Sequence, residues 1–91
     1  MNNAERLVEI RHRLEQAFKP ESLLVEDESH QHAGHEGAKD GRGHFRVMLV
    51  SETFKGLSMI ARHRAVYREM GSLMQSDIHA LSIEAFAGDE V

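Results

Sequence analysis

Leu7, Ile10, Leu14 and Phe18 recur at intervals of three and four residues, with Ala17 beside them, so residues 3–18 are predicted to form an amphipathic helix that buries one stripe. Pro20 ends it. Residues 23–28 begin apolar and are bounded by Pro20 and Ser29, which predicts a short strand. Residues 29–43 then lose all apolar periodicity and hold four of the seven glycines and three of the seven histidines, which predicts a loop. Phe45, Val47 and Leu49 alternate with Arg46, Met48 and Val50, the period of a well-buried strand. Phe54-Lys55-Gly56 reads as a turn and Ser58 as the N-cap of a second helix. That helix is expected to bury a stripe of Met59, His63, Val66 and Met70, flanked by Ile60 and Tyr67, and to end or kink at Gly71. Residues 72–76 allow one further helical turn. Residues 78–86 alternate again, and strict parity puts His79, Leu81, Ile83 and Ala85 on one face.

The order helix, strand, strand, helix with a short continuation, strand restricts the topology. The first two strands can pair antiparallel across the loop, whereas the helical crossover makes the second and third parallel with a right-handed connection. The expected fold is α+β, a mixed three-stranded sheet with helices on one face. At 91 residues the chain is expected to form a single domain over 1–91, with residues 29–43 as its one long loop.

Charge is unevenly spread: residues 1–20 sum to +1, 21–40 to −5, 41–70 to +4 and 71–91 to −4, giving the net −4. The basic block contains Lys55, Arg62, Arg64 and Arg68, which suits either a solvated helix face or contact with nucleic-acid phosphates. With no cysteine, the chain has no disulfide framework, no catalytic thiolate and no all-cysteine cluster of its own. No run resembles a targeting or membrane segment, the longest apolar stretch being residues 47–50, so a cytoplasmic protein is expected.

Histidine is the versatile side chain that this sequence concentrates. His30, His32 and His35 lie in S-H-Q-H-A-G-H-E-G, where glycine-bearing backbone can turn several imidazoles towards one metal ion, although loop histidines are also commonly just solvated. His79 has two readings, a core histidine satisfied by a hydrogen bond or a ligand held at a rigid strand end. His44 and His63 read as structural, and His12, off the first helix's stripe, as solvated. Catalytic constellations are lacking: no G-x-S-x-G, no phosphate-cradling glycine loop and no thiol nucleophile occur. Glu26 and Glu28 share a strand face but read as a solvated edge. An enzyme is therefore not expected.

Several motifs in order carry a resemblance over nearly the whole chain: Leu24-Val25-Glu26-Asp27-Glu28-Ser29, the loop H-A-G-H, then H-F-R-V-M-L-V-S, F-K-G-L-S, R-H-R-A-V-Y and I-H-A-L-S-I. Together they resemble the BolA family. That resemblance implies an alpha-beta-beta-alpha-alpha-beta fold of the class II KH type, in agreement with the pattern above. It further implies association with a monothiol glutaredoxin of the CGFS kind as a heterodimer that shares a bridging [2Fe-2S] cluster, in iron–sulfur trafficking and iron-status signalling. By the same resemblance the histidine of H-A-L, His79, is a cluster ligand, and the second comes from the loop. His32 is the best-placed match there, with His35 as the alternative and His30 a weaker one. A chain without cysteine fits, because the partner can add its own thiolate and that of glutathione. Imidazole in place of thiolate raises a cluster's potential and makes ligation sensitive to pH. Some BolA relatives are described as DNA-binding regulators, which implies transcriptional regulation as the alternative function, with Lys55, Arg62, Arg64 and Arg68 as phosphate contacts. The G-x-x-G loop of KH domains is absent between the helices, where F-K-G-L-S has a single glycine.

Overall fold

A computed structural model describes residues 1–32 and 41–91. Helix α1 (Asn3–Phe18) opens with a capping box in which Asn2 and Glu5 satisfy each other's backbone N–H. It closes through Lys19 in the left-handed region (φ 44°), whose N–H donates to the Glu15 carbonyl. The chain is thus already turned before Pro20. Strand β1 (Ser22–Asp27) leads into a 3-10 turn (Ser29–His32), and β2 (Gly43–Val50) follows. The predicted loop therefore contains a helical turn at its start and gives up Gly43 to the sheet at its end. After a second 3-10 turn (Glu52–Phe54) come α2 (Met59–Met70), α3 (Leu73–Ser76), β3 (Ile78–Phe86) and a final 3-10 turn (Gly88–Glu90).

The sheet order is β1-β2-β3, with β1 antiparallel and β3 parallel to the central β2, as the connection lengths required. Phe45, Val47 and Leu49 of β2 and Leu81, Ile83 and Ala85 of β3 face one way and pack on Ile10, Leu14 and Phe18 of α1 and Val66 and Met70 of α2. The opposite face carries Leu24, Glu26, Arg46, Met48 and Glu84, where Arg46 pairs with Glu26 across one strand boundary and with Glu84 across the other. The buried Ser51 hydroxyl donates to the Phe18 carbonyl at 2.6 Å, fastening the end of β2 to the end of α1.

The second helix departs from its predicted stripe. Ser58 caps it, its hydroxyl accepting from the Ala61 N–H, and Gly71 ends it, both as expected. Its buried line, however, is Arg62, Val66 and Met70, while Met59 and Ile60 are 53% and 64% exposed. At about 100° per residue Met59 shares the azimuth of that line, but it sits one turn earlier, where the core has ended. His63 falls at the edge of the line, and its Nε2 is buried without a hydrogen-bond partner among the described residues.

Candidate functional site

The site is organised by an irregularity that alternation could not reveal. Gly43 of β2 registers with Ile78 of β3, yet the next residue, His44, registers with Ala80. His79 is the extra residue of a bulge, and one extra residue inverts the faces that follow it. Ile78 is therefore fully buried, Leu81, Ile83 and Ala85 remain inward, and His79 is turned out to solvent. The expectation that His79 shares a face with Leu81 and Ile83 is corrected accordingly. Gly43 permits the arrangement by lacking a side chain: a Cβ there would lie 2.5 and 2.6 Å from the Phe45 ring, which folds back over it. Its N–H donates to the Asp77 carbonyl at 2.9 Å, locking the two strands just ahead of the bulge.

Among the described residues, His44 and Arg42 lie against His79. The His44 ring lies against it, with centroids 5.1 Å apart and planes inclined by 44°. Arg42 brings Nη2 to 2.9 Å from His79 Nδ1, and its Nη1 reaches the Met74 carbonyl at 3.4 Å. His44 itself is almost wholly buried, as its structural reading required.

The start of the β1–β2 connection is fastened to this same end of the sheet. The Glu28 N–H donates to the His44 carbonyl at 2.8 Å. The Ser29 hydroxyl accepts from the His44 N–H at 3.0 Å and from Asn3 Nδ2 at 3.2 Å, while the Ser29 N–H donates to Asp27 at 2.9 Å. Desolvation raises the Asp27 carboxyl, but the hydrogen bonds from Ser29 and Asn3 and the charge of His30 outweigh it and hold the group below its ordinary range. The 3-10 turn that carries His30 and closes with His32 therefore begins beside His44, which in turn touches His79. His30 is exposed. His35 lies outside the described residues.

Sequence reasoning missed the residues that frame this end. Arg6 Nε donates to Asp77 at 2.8 Å and its Nη1 to the Gly41 carbonyl at 2.9 Å, so α1, the end of the long connection and the approach to β3 meet on one guanidinium. Hydrogen bonds from Ser76 and Arg6 depress the Asp77 carboxyl below its usual value. No sequence signal marks Arg6 or Arg42, since an arginine on a helix or in a loop reads as solvated. Among the described residues no group of three or more His, Asp or Glu converges to hold a metal ion. Among the described residues the metal-ligating donor exposed at this rim is the His79 imidazole, and the chain has no cysteine to add a thiolate beside it.

The basic block resolves differently. Lys55, Arg64 and Arg68 are exposed, but Arg62 is buried and faces inward. Its Nε donates to the Leu57 carbonyl at 3.0 Å, Nη1 to the Ala85 carbonyl at 3.0 Å, and Nη1 and Nη2 to the two Glu90 oxygens at 2.5 and 2.7 Å. Arg62 is withdrawn from the phosphate-contact set, because every guanidinium nitrogen is spent on clamping α2 to β3 and the C-terminal turn. That clamp pulls the Glu90 carboxyl down to about 2. Among the described residues no helix is long and apolar enough to cross a membrane.

Comparison with known proteins agrees with this geometry. The SufE-like protein 1 of Arabidopsis thaliana, chloroplastic and mitochondrial, is 42% identical over 87 residues, which cover 90% of this chain and 24% of that protein. The solved BolA domain of Arabidopsis SufE1 superposes with a TM-score of 0.84 at 42% identity, covering 94% of this chain and 95% of that one. A protein of Haemophilus influenzae named DNA-binding transcriptional regulator BolA is 31% identical over 81 residues, covering 89% of this chain and 76% of that protein. The family model described as BolA-like protein matches residues 14–90, from the C-terminal end of α1 through β3 to the Arg62–Glu90 clamp, and the chain accordingly belongs to the BolA-like family.

Proposed function

We propose that this chain is a non-enzymatic iron–sulfur trafficking or iron-regulation factor that binds a monothiol glutaredoxin and co-ligates a bridging [2Fe-2S] cluster through His79 and a histidine of the β1–β2 loop. The loop ligand is His32, with His35 as the alternative. The observation that carries the reading is the bulge, which takes His79 out of the core and fixes it on a rigid rim, against His44, where the histidine-bearing turn begins. A ligand on a strand end keeps its direction without a partner, whereas one on a connection can adjust to it. The missing thiolates would come from the glutaredoxin cysteine and its glutathione. The bound cluster would supply a redox-active group that can be handed on. This chain's residues supply imidazoles and a docking rim.

Reconstituting the complex with the natural protein and with His79→Ala tests the reading. The variant is expected to lose the visible circular dichroism of the shared cluster, and replacing His32 or His35 one at a time identifies the loop ligand. Unchanged spectra in His79→Ala would refute it.

A second reading, a nucleic-acid-binding regulator, is favoured by the exposed Lys55, Arg64 and Arg68 beside the half-exposed Tyr67, and by the name of the Haemophilus relative. DNA affinity should then fall with salt, and the log–log slope should shrink by about one for each phosphate contact removed in Arg64→Ala or Arg68→Ala. Binding that ignores both changes would eliminate this face.

A further inference from the structure

Arg42 makes a contact with His79 that is incompatible with ligation. A guanidinium nitrogen only donates, so His79 Nδ1 must accept, and a neutral ring then carries its single proton on Nε2. A metal ion needs a ring nitrogen with a free lone pair. At Nδ1 the lone pair is the one Arg42 holds. At Nε2 the proton would have to move to Nδ1, as in any neutral imidazole that ligates through Nε2, and there it would confront the Arg42 donor. Either route breaks the 2.9 Å bond, and the side chain is held over His79 by its second contact with the Met74 carbonyl.

We propose that Arg42 is a positioning residue acting as a latch on His79: it fixes the Nε2-protonated tautomer in the free protein and is displaced when a metal group is ligated. The proposal rests on the cluster reading above for its role, but the tautomer it assigns belongs to this chain alone. The exchange balances simply. One hydrogen bond is lost, one coordinate bond forms, Arg42 keeps its proton, and ligation at Nε2 additionally shifts the ring proton from Nε2 to the Nδ1 that Arg42 has vacated. A positive charge near an anionic cluster would by itself favour loading, so the latch and plain electrostatic attraction predict opposite signs for removal of the arginine.

The test has two arms. Nitrogen-15 long-range spectra of the metal-free protein at about pH 8.5, where histidine side chains are ordinarily neutral, are expected to show His79 as the Nε2–H tautomer, and Arg42→Met is expected to shift it to a mixture. An unchanged tautomer in the variant, or an Nδ1–H ring in the natural protein, overturns the proposal. In the second arm each protein is titrated into glutaredoxin-bound [2Fe-2S] cluster and followed by visible circular dichroism. Arg42→Met should load about 2- to 10-fold more readily, the equivalent of one hydrogen bond, and Arg42→Lys should fall between it and the natural protein. Equal or weaker loading of Arg42→Met, with His79→Ala failing to load, refutes the latch and leaves the cluster reading intact. Loading of His79→Ala like the natural protein refutes the cluster reading instead, and the tautomer arm still decides what Arg42 does.

Discussion

Ser29→Ala removes a hydroxyl that accepts from Asn3 of α1 and from the His44 N–H of β2, and that helps to hold the Asp27 carboxyl of β1 below its ordinary range. The Asn3 amide is half-buried and can turn to water. The His44 N–H lies at a residue only 6% exposed, and alanine removes its Ser29 acceptor. Loss of the acceptor at a buried donor, with the weaker support of the Asp27 carboxylate, is expected to cost about 2 kcal/mol. In a domain of this size that lowers Tm by about 8–16 °C. Urea denaturation gives the free energy, and hydrogen exchange at the His44 amide reports the place. The effect depends on pH with a definite sign. The folded Asp27 carboxyl lies below its ordinary 3.8, so its stabilising contribution is fully present above about that pH and is lost as pH falls through the folded value. The gap between natural protein and variant should therefore narrow in acid. A loss under about 0.5 kcal/mol with unchanged His44 exchange would refute the account of Ser29 as the fastening of this end of the sheet.

Gly43→Ala should destabilise by about 1–3 kcal/mol in urea titration, because its Cβ would overlap the buried Phe45 ring, and a neutral result would show that the bulge can open to admit a methyl group. Glu90→Gln should weaken the protein at pH 6 by leaving Arg62 without its carboxylate. That deficit should vanish as pH falls from about 4.5 towards the folded value of about 2, since the natural Glu90 is then itself protonated; a deficit constant down to pH 2 would contradict the clamp. Ile60→Gln should leave stability within about 0.5 kcal/mol by thermal denaturation, since this side chain is 64% exposed, and a larger loss would restore it to the core.

Local pattern was sufficient for most of the architecture. The stripe at Ile10, Leu14 and Phe18, the alternation through Phe45, Val47 and Leu49, the serine cap at Ser58 and the glycine stop at Gly71 are each properties of a few neighbouring residues, and all four recur in the structure. The parallel pairing of β2 with β3 followed from connection length alone. Arg62 shows where pattern fails. Its charge reads as surface, yet carbonyls at Leu57 and Ala85 and the Glu90 carboxylate, 5, 23 and 28 residues away, satisfy every nitrogen and allow it to be buried.

By itself the sequence determined the element order, the sheet topology, the absence of any thiolate and the concentration of histidine in one connection and at the head of the last strand. Only the tertiary structure decided what His79 is. Parity counted along one strand assigns it to the core, because a period of two holds only while both strands advance together. The Phe45 ring over Gly43 and the Gly43–Asp77 bond make them advance unequally by one residue, and that single residue turns a core histidine into an exposed one beside Arg42 and His44.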